Sequence, residues 1–277
     1  MTLAVGLDVG ATKIAAALVD VAHGRVEAAL RRPTEAARGG DAVLADCVAL
    51  ARELAAGRAV AAVGLGVCEL VDRAGRVHSA ETVDWRDTDL AAALGAVAPA
   101  RVESDVRAAA LAEARHGAGR TAADFLYVSV GSGISHCLVA DGIPRAGARG
   151  SAMNTGAPLV ERWSGGLALA RRTGHPTARE ALADPEATAT VRDAAERLGA
   201  VLAVLVNALD PGALVIGGGL GLDDGYRAGV VEAMRPAIYD DAVRDLPVHA
   251  AALGADAGAI GAALAAADRR QSGASIP

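Results

Sequence analysis

The sequence has few aromatic residues, only 2% of its 277 positions, although 52% of its residues are hydrophobic. Its core must therefore be built from Ala, Val and Leu, whose small side chains let secondary-structure elements pack closely. The length suits two packed lobes of ordinary size, and we expect two domains in a globular protein.

The chain has no excess of positive charge, since its formal net charge is -6. It offers no broad basic surface, so we expect neither nucleic acid nor an anionic membrane as its main partner. Asp8 and Lys13 interrupt the apolar residues near the amino terminus, which therefore resembles neither a signal peptide nor a membrane span. A cytoplasmic protein is expected.

Cysteine is also scarce. Cys47, Cys68 and Cys137 lie far apart and form no CxxC pair, which argues against a disulfide framework and against a thiolate metal cluster. The phosphate-loop pattern GxxxxGK[ST] is absent, and no GxGxxG follows the first apolar run. Neither a Walker-type ATPase nor a simple dinucleotide dehydrogenase is indicated.

The pattern of apolar runs predicts an α/β protein. VGLDVG and IAAALVD flank the turn GATK, and a third extended stretch follows the turn signal at 22–25, so a three-stranded meander is expected. A helix at about 41–54, a strand at 59–67 and a helix near 90–94 complete the first lobe.

Residues 125–142, FLYVSVGSGISHCLVADG, repeat the strand, turn and strand of the opening segment, as a duplicated architecture would. Helical patterns follow. They cover about 166–173, 177–183 and 188–208, and after the strand ALVIGGG another helix, a short strand near Val248 and a helix at about 257–267 are expected.

Three glycine turns each follow an apolar strand, at 8–13, 130–133 and 216–219. Glycine lets backbone N–H groups approach an anion, and the hydroxyls of Thr12 and Ser132 add donors. Each turn alone is best interpreted as a tight connection between elements. Three such turns in one chain favour a polyphosphate site.

Asp105 lies where the short strand of VESDVRAAALAEARHGAG becomes an Ala-rich helix. It could simply cap this helix, and without other signals that is the simpler interpretation. Alternatively, its carboxylate accepts a proton from a substrate hydroxyl as that oxygen attacks a phosphoryl group.

Six motifs in order resemble those of the ROK family of sugar kinases, repressors and related proteins: GLDVGATK, GLGVCELVD, VESDVRAAALAE, YVSVGSG, ALVIGGG and LGADAGAIGAAL. The resemblance implies the duplicated actin-like (ribonuclease H-like) ATPase fold, an α/β fold with two lobes and a cleft between them. The small lobe would comprise residues 1–106 and about 262–277, and the large lobe residues 107–261.

The resemblance also implies an ATP-dependent kinase that uses Mg²⁺ and forms a homodimer. Asp105 falls on the family's catalytic base. The residues that match the phosphate and adenosine blocks are Asp8, Gly10, Thr12, Lys13, Gly131, Ser132, Gly133, Gly217, Gly218 and Gly219.

The chain departs from the family around the acceptor. Ser104 replaces the Asn of an Asn-Asp pair, and Asn154-Thr155-Gly156-Ala157 replaces a Glu-x-Gly-His block. Only residues 158–160 stand where the family has a zinc loop, so no structural zinc is expected. Glu161 matches the family's acidic sugar ligand, and Glu69 departs from a Pro-Gly turn and could face an amino group.

A hydrogen bond between a carboxylate and a hydroxyl contributes about 1.5–3 kcal/mol, so glucose should be a poor acceptor. An amino sugar or a cyclitol is favoured. The residues predicted to bind it are Glu69, Ser104, Asp105, Asn154 and Glu161.

Plainer interpretations of individual residues stay open. Glu161 could start a helix, Asn154 could serve a turn, and Glu69 could be a loop carboxylate. Arg107 is most simply a surface ion pair, Trp85 and Trp163 pack, and His136 and His175 are structural.

The alternative function is a sensor that keeps the fold but has lost turnover. A DNA-binding repressor of the family would need an amino-terminal helix-turn-helix module, for which the strand starting at residue 3 leaves no room.

Overall fold

The computed structural model describes residues 1–152 and 159–268. Its strands are β1 (Leu3–Val9), β2 (Lys13–Asp20), β3 (Arg25–Pro33), β4 (Val60–Val67), β5 (Ala100–Ser104), β6 (Phe125–Val130), β7 (Ile134–Ala140), β8 (Ile143–Pro144), β9 (Leu214–Gly217) and β10 (Val248–Ala250). Its helices are α1 (Gly40–Ala55), α2 (Leu90–Gly95), α3 (Asp105–His116), α4 (Glu161–Ser164), α5 (Gly166–Thr173), α6 (Ala178–Ala183), α7 (Thr188–Leu209), α8 (Asp224–Met234) and α9 (Ala257–Ala267). The elements predicted from the sequence are confirmed in type and order.

The chain forms two units, each built on a five-stranded sheet. In the first sheet the order is β3-β2-β1-β4-β5, with β1, β4 and β5 parallel and the β1–β2–β3 meander antiparallel. The second sheet, β8-β7-β6-β9-β10, has the same connectivity and the same strand directions. The predicted duplication of an actin-like fold is confirmed.

The first unit packs helices against the buried strands β1, β2 and β4. Helix α1 buries Val43, Cys47, Leu50 and Leu54, whose spacing of three and four residues defines one face of a helix. Helix α9 is different, because all its residues from Ala257 to Ala265 are buried. A helix that is apolar on every side belongs in the middle of a core.

Glycines let α9 approach its neighbours at backbone distance. A Cβ added to Gly6 of β1 or to Gly64 of β4 would lie 1.8 Å from a carbonyl oxygen of α9. A Cβ on Gly261 of α9 would lie 1.7 Å from the Ala108 carbonyl oxygen of α3. Since no real Cβ tolerates such distances, these three positions require glycine for packing.

The boundary between the units corrects the division predicted from the sequence. The first unit contains residues 1–116, the short stretch 146–152 and the chain from residue 256 onward. The prediction ended the small lobe at residue 106 and resumed it near 262. Because α9 packs along its whole length on β1, β4 and α3, both helices belong entirely to the first unit.

The second unit has its own core, formed where α7 and α8 pack beside the sheet. Leu198, Leu202 and Val206 of α7 are buried in one cluster with Val230 and Met234 of α8. Within the described parts of the chain, no helix has both the length and the apolar character that a bilayer crossing requires.

Candidate active site

Two carboxylates lie at one edge of the first sheet. Strands β1, β4 and β5 are parallel, so their carboxyl ends meet at the same edge. Asp8 near the end of β1 pairs with Gly66 of β4, and Asp105 directly follows β5. A Cβ added to Gly66 would lie 3.5 Å from Asp105 Cα and 3.8 Å from Asp8 Oδ1. Gly66 therefore lies between the two acidic residues. In open α/β sheets, ligands bind at this edge, just beyond the carboxyl ends of the strands.

Asp105 is the first residue of α3, and it is half-buried. Its Oδ1 accepts a hydrogen bond of 2.6 Å from the N–H of Val106. A capping residue normally precedes the helix and accepts from the second or third helical N–H, so this geometry is not that of an ordinary cap. Among the described residues, the other carboxylate oxygen has no hydrogen bond.

Burial raises the pKa of Asp105 to about 7, and the negative charge of Asp8 adds to this effect. The Val106 N–H and the charge of Arg107 oppose it but do not cancel it. A carboxylate with a pKa close to the working pH is well suited to accept a proton during a reaction.

The carboxylate of Asp8 is also largely shielded from solvent. Burial raises its pKa to about 6, and the positive charge of Lys13 opposes the rise. A Cβ added to Gly258 would lie 2.4 Å from Asp8 Oδ2, so the first turn of α9 packs directly against this carboxylate. The amino-terminal end of a helix favours negative charge there.

The raised pKa of Asp105 predicts a cost in stability. Its pKa rises from 3.8 to about 7 on folding, so ionisation opposes folding increasingly between about pH 4 and pH 7 and fully above pH 7. We expect Asp105→Asn to raise the thermal midpoint of the ligand-free protein at pH 8 by about 2 °C or more, and by less at pH 5. Calorimetry at both pH values measures this difference.

Asp245→Asn is the matched control, because that carboxylate is 95% exposed. It should leave the difference between the two midpoints unchanged. An Asp105→Asn variant that gains more at pH 5 than at pH 8 would contradict the assigned pKa direction.

The tip of the β1–β2 hairpin, Gly10 to Lys13, turns its carbonyl groups toward Thr34. The Thr34 hydroxyl donates to Gly10 O at 2.7 Å, and its N–H donates to Thr12 O at 3.1 Å. Thr34 is fully buried, whereas Thr12 and Lys13 are exposed. The exposed side chains of Thr12 and Lys13 give the tip a hydroxyl and an ammonium group, which suit an anion.

The tip of the β6–β7 hairpin repeats this arrangement with other donors. The first amides of α5 donate to it, from Gly166 to Gly131 O at 2.8 Å and from Leu167 to Ser132 O at 3.1 Å. A Cβ added to Gly131 would meet no atom within 4 Å. This tip therefore has open space beside Gly131.

Glu161, the first residue of α4, contacts the tip of this second hairpin through its side chain. Its Oε2 accepts from the N–H of Ile134 at 2.9 Å, and a Cβ added to Gly133 would lie 2.8 Å from the same oxygen. The structure thus brings the predicted acidic ligand next to the predicted phosphate turn. Its contact with an acceptor stays a prediction, and so does that of Asn154, which lies outside the described residues.

The third glycine turn packs against the end of β6. Gly218 has a φ of 80°, and a Cβ there would lie 2.5 Å from the Val130 carbonyl. Gly217 is close to the Tyr127 hydroxyl, whereas Gly219 is exposed, with nothing within 4 Å of an added Cβ. Packing therefore explains the first two glycines, and Gly219 leaves room for a ligand.

Two of the predicted acceptor contacts are not supported. The Glu69 carboxylate is buried and accepts from the Ser79 hydroxyl and from the amides of Glu81, Thr82 and Val83. Its role is to hold the 79–83 loop, so the prediction that it faces the substrate is wrong. Ser104 is fully buried and has no exposed atom with which to contact an acceptor.

The tryptophans and His175 have structural contacts. Trp85 is buried and donates to Gly40 O at 2.9 Å, and the Trp163 ring lies 4.5–5.5 Å from three guanidinium groups. His175 is 2.9 Å from Asp184. Arg107 is not the expected surface ion pair, since it is buried.

Sequence reasoning also missed Thr34 and Gly258, whose contacts come from distant parts of the chain. Among residues 1–152 and 159–268, no group of three or more His, Cys, Asp or Glu side chains could hold a metal ion. The expectation that structural zinc is missing stays a prediction, since residues 153–158 are not described.

Two sheets of identical connectivity, glycine turns at their hairpins and carboxylates at the strand ends define a protein of the actin-like ATPase fold. The sequence profile of the ROK family matches residues 4–166 and 161–269. The chain belongs to the ROK family.

Its relatives include sugar kinases. The glucokinase of Streptomyces coelicolor is 29% identical over 266 residues, covering 79% of this chain and 83% of the relative. The bifunctional enzyme NanE/NanK of Brucella melitensis is 38% identical over 193 residues, covering 63% of this chain. The chain matches only 36% of the length of that Brucella enzyme.

Solved structures show the same fold. A ROK family glucokinase from Streptomyces griseus, crystallised with glucose and AMPPNP, superposes with a TM-score of 0.84 and 27% identity, covering 95% of this chain and 99% of that one. A ROK hexokinase from Thermus thermophilus gives a TM-score of 0.76 and 32% identity, covering 96% and 98%.

Proposed function

We propose that the protein transfers the terminal phosphoryl group of ATP to a hydroxyl of a sugar or sugar-like acceptor. The observation that carries the proposal is Asp105 at the edge of the first sheet, with a pKa raised to about 7 and one oxygen without a hydrogen bond among the described residues. The relatives that bind or phosphorylate sugars supply the class of acceptor.

In the proposed reaction, Asp105 accepts the proton of the acceptor hydroxyl as that oxygen attacks the γ-phosphorus. A new P–O bond forms, the bond to the β-phosphate oxygen breaks, and ADP leaves. Catalysis of this kind rests on positioning and charge stabilisation, with the general base supplying about 10²–10⁴-fold.

The glycine turns fit the polyphosphate of ATP. The tips at 10–13 and 131–133 each have their carbonyls engaged within their own unit, and the open sides of Gly131 and Gly219 leave space that a Cβ would fill. Lys13 is exposed and would add positive charge. Each tip alone can offer N–H donors to phosphate oxygens.

Asp8 fits a magnesium ion, which is commonly held by one or two carboxylates together with phosphate oxygens. Bound there, Mg²⁺ would neutralise charge on the phosphates. The Asp8 carboxylate is desolvated, and Asp105 nearby is also acidic, so a cation is the natural complement of this edge.

For the acceptor we propose an amino sugar or a cyclitol in preference to glucose. Asn154 and Ala157 stand where the family commonly has Glu and His, and Glu69 is committed to its own loop. Fewer groups are therefore left to bind the hydroxyls of glucose. From the family resemblance we also propose a homodimer, which light scattering tests.

A screen of ADP release with ATP and Mg²⁺ tests the acceptor class. The panel contains glucose, free and N-acetylated amino sugars, inositols and C7 cyclitols, each compared with the Asp105→Asn variant. We expect an amino sugar or a cyclitol to exceed glucose in kcat/KM by about 10-fold or more, because a lost contact of about 1.5–3 kcal/mol corresponds to that ratio. Glucose as the best acceptor would contradict this preference.

The altered acceptor residues also suit a sensor that binds sugar without turnover. Calorimetric binding of a panel compound, without ADP release above that of Asp105→Asn for any acceptor, would favour the sensor over the kinase.

A further inference from the structure

Arg107 is buried in the first turn of α3, two residues after Asp105, and it is 3% exposed. Its Nε donates to Glu103 Oε1 at 2.6 Å. Its two terminal nitrogens donate to backbone carbonyls, one to Gly150 O at 2.6 Å and the other to Val71 O at 2.8 Å. One planar guanidinium group thus joins three segments that are distant in sequence.

The first of these carbonyls belongs to a small closed loop, residues 146–152. The loop is closed at its base by the Ala152 N–H, which donates to Ala146 O at 3.2 Å. Gly150 is its one buried residue. A Cβ on Gly150 would lie 2.2 Å from Val71 O, and its φ is 87°. Gly150 is therefore the point at which the 146–152 loop attaches to the rest of the first unit.

The second carbonyl belongs to the loop that follows β4. Val67, the last residue of β4, pairs with Ser104, the residue before Asp105. This loop therefore leaves the sheet beside the start of α3, and Val71 lies four residues further on. Arg107 ties both loops to the turn of helix that carries Asp105.

We propose that Arg107 is a positioning residue for the acceptor, holding the 146–152 loop at a fixed place relative to Asp105. The loop after β4 leaves the sheet at the carboxyl edge where the proposed function places Asp105 and the acceptor, so this inference rests on that function. Gly150 packs the 146–152 loop onto Val71 of that loop, beside the same edge. A guanidinium is suited to the task because its rigid fork reaches two carbonyls and a carboxylate at once, which a lysine ammonium on its flexible stem does not.

The role predicts a specific kinetic signature. A displaced acceptor raises the KM for the acceptor, and misplacement by about 1 Å can cost up to about 10²-fold in rate. The KM for ATP should not change, because the glycine turns of the proposed ATP site do not contact Arg107. Loss of general stability alone would lower the active fraction without separating the two KM values.

Two variants test the hydrogen bond between Arg107 and Gly150 O, one by changing the donor residue and the other by changing the acceptor residue. Arg107→Lys keeps the charge and removes the fork, and Gly150→Ala pushes the 146–152 loop away from Val71 while leaving the Arg107–Glu103 pair intact. The matched control is Arg115→Lys, on the same helix, which alters an ion pair of 2.6 Å with Asp268 that lies elsewhere. Steady-state kinetics with the best acceptor and hydrogen exchange of peptides from 146–152 are measured for all three.

We expect both test variants to raise the acceptor KM about 10-fold or more, with an unchanged ATP KM and faster exchange in 146–152. Arg115→Lys should change none of these. Faster exchange with an unaltered acceptor KM would overturn the inference, and so would equal rises in both KM values. Failure of the proposed function would be visible separately, as a lack of acceptor-dependent ADP release by the unmodified protein.

Discussion

Replacing Asp105 by Asn should lower kcat by about 10²–10⁴-fold while the KM for ATP stays nearly unchanged. The amide oxygen of Asn can still accept from the Val106 N–H, so the start of α3 is preserved. What is lost is the ability to accept a proton. Initial rates at saturating ATP and acceptor measure the effect, with circular dichroism to verify folding.

The same residue predicts a pH profile. In the unmodified protein, kcat/KM should rise with pH and level off above about 7, because this parameter reports the pKa of the free protein's base. The profile of Asp105→Asn should lose this step. Asp245→Asn, which changes an exposed carboxylate, serves as the control. A variant that retains more than a tenth of kcat would refute the general-base assignment.

Gly64→Ala should be among the most damaging small substitutions in the first unit. Its new Cβ would lie 1.8 Å from Ala262 O and 2.2 Å from the carbonyl carbon. Both are backbone atoms of a buried helix, so neither can rotate away. Either β4 or α9 must shift, and overpacking of this kind costs about 1–3 kcal/mol or more. Urea denaturation measures the loss.

Gly66→Ala is the matched control for stability, on the same strand and equally buried. Its Cβ would meet its neighbours only at 3.5 Å or beyond, which is ordinary contact. Since Ala also restricts the unfolded chain, Gly66→Ala should be neutral or slightly stabilising. Equal effects of the two substitutions would show that the close approach of α9 to β4 is not what requires Gly64.

The sequence was sufficient to predict the helices and strands, their order and the duplicated sheets. The hydrophobic periodicity and the turn residues that indicate them are local features of the sequence. It also predicted that Asp105 lies where a strand becomes a helix. The two roles left open for that residue could not be separated, since its raised pKa depends on burial and on Asp8, nearly a hundred residues earlier. Only the folded sheet brings these two carboxylates near each other.

The failures have a common physical cause. Glu69 is satisfied by an irregular loop 10–14 residues later, and Arg107 by carbonyls 36 and 43 residues away. Because nearly every residue has a backbone carbonyl and an amide, a side chain that binds these groups leaves no recognisable pattern in the amino-acid sequence. By contrast, the placement of α9 could have been found, because AGAIGAALAAA is apolar on every side and such a helix is expected inside a core.

The position of α9 has a consequence for biosynthesis. The strands β1 and β4 and the helix α3 emerge from the ribosome before the second unit, but the helix that covers them is made only after the entire second unit. During translation their glycine-lined surface stays uncovered, although amino-terminal domains commonly fold first. Completion of the first unit must therefore wait until the second unit has been synthesised, and this interval is when the protein most needs protection by chaperones.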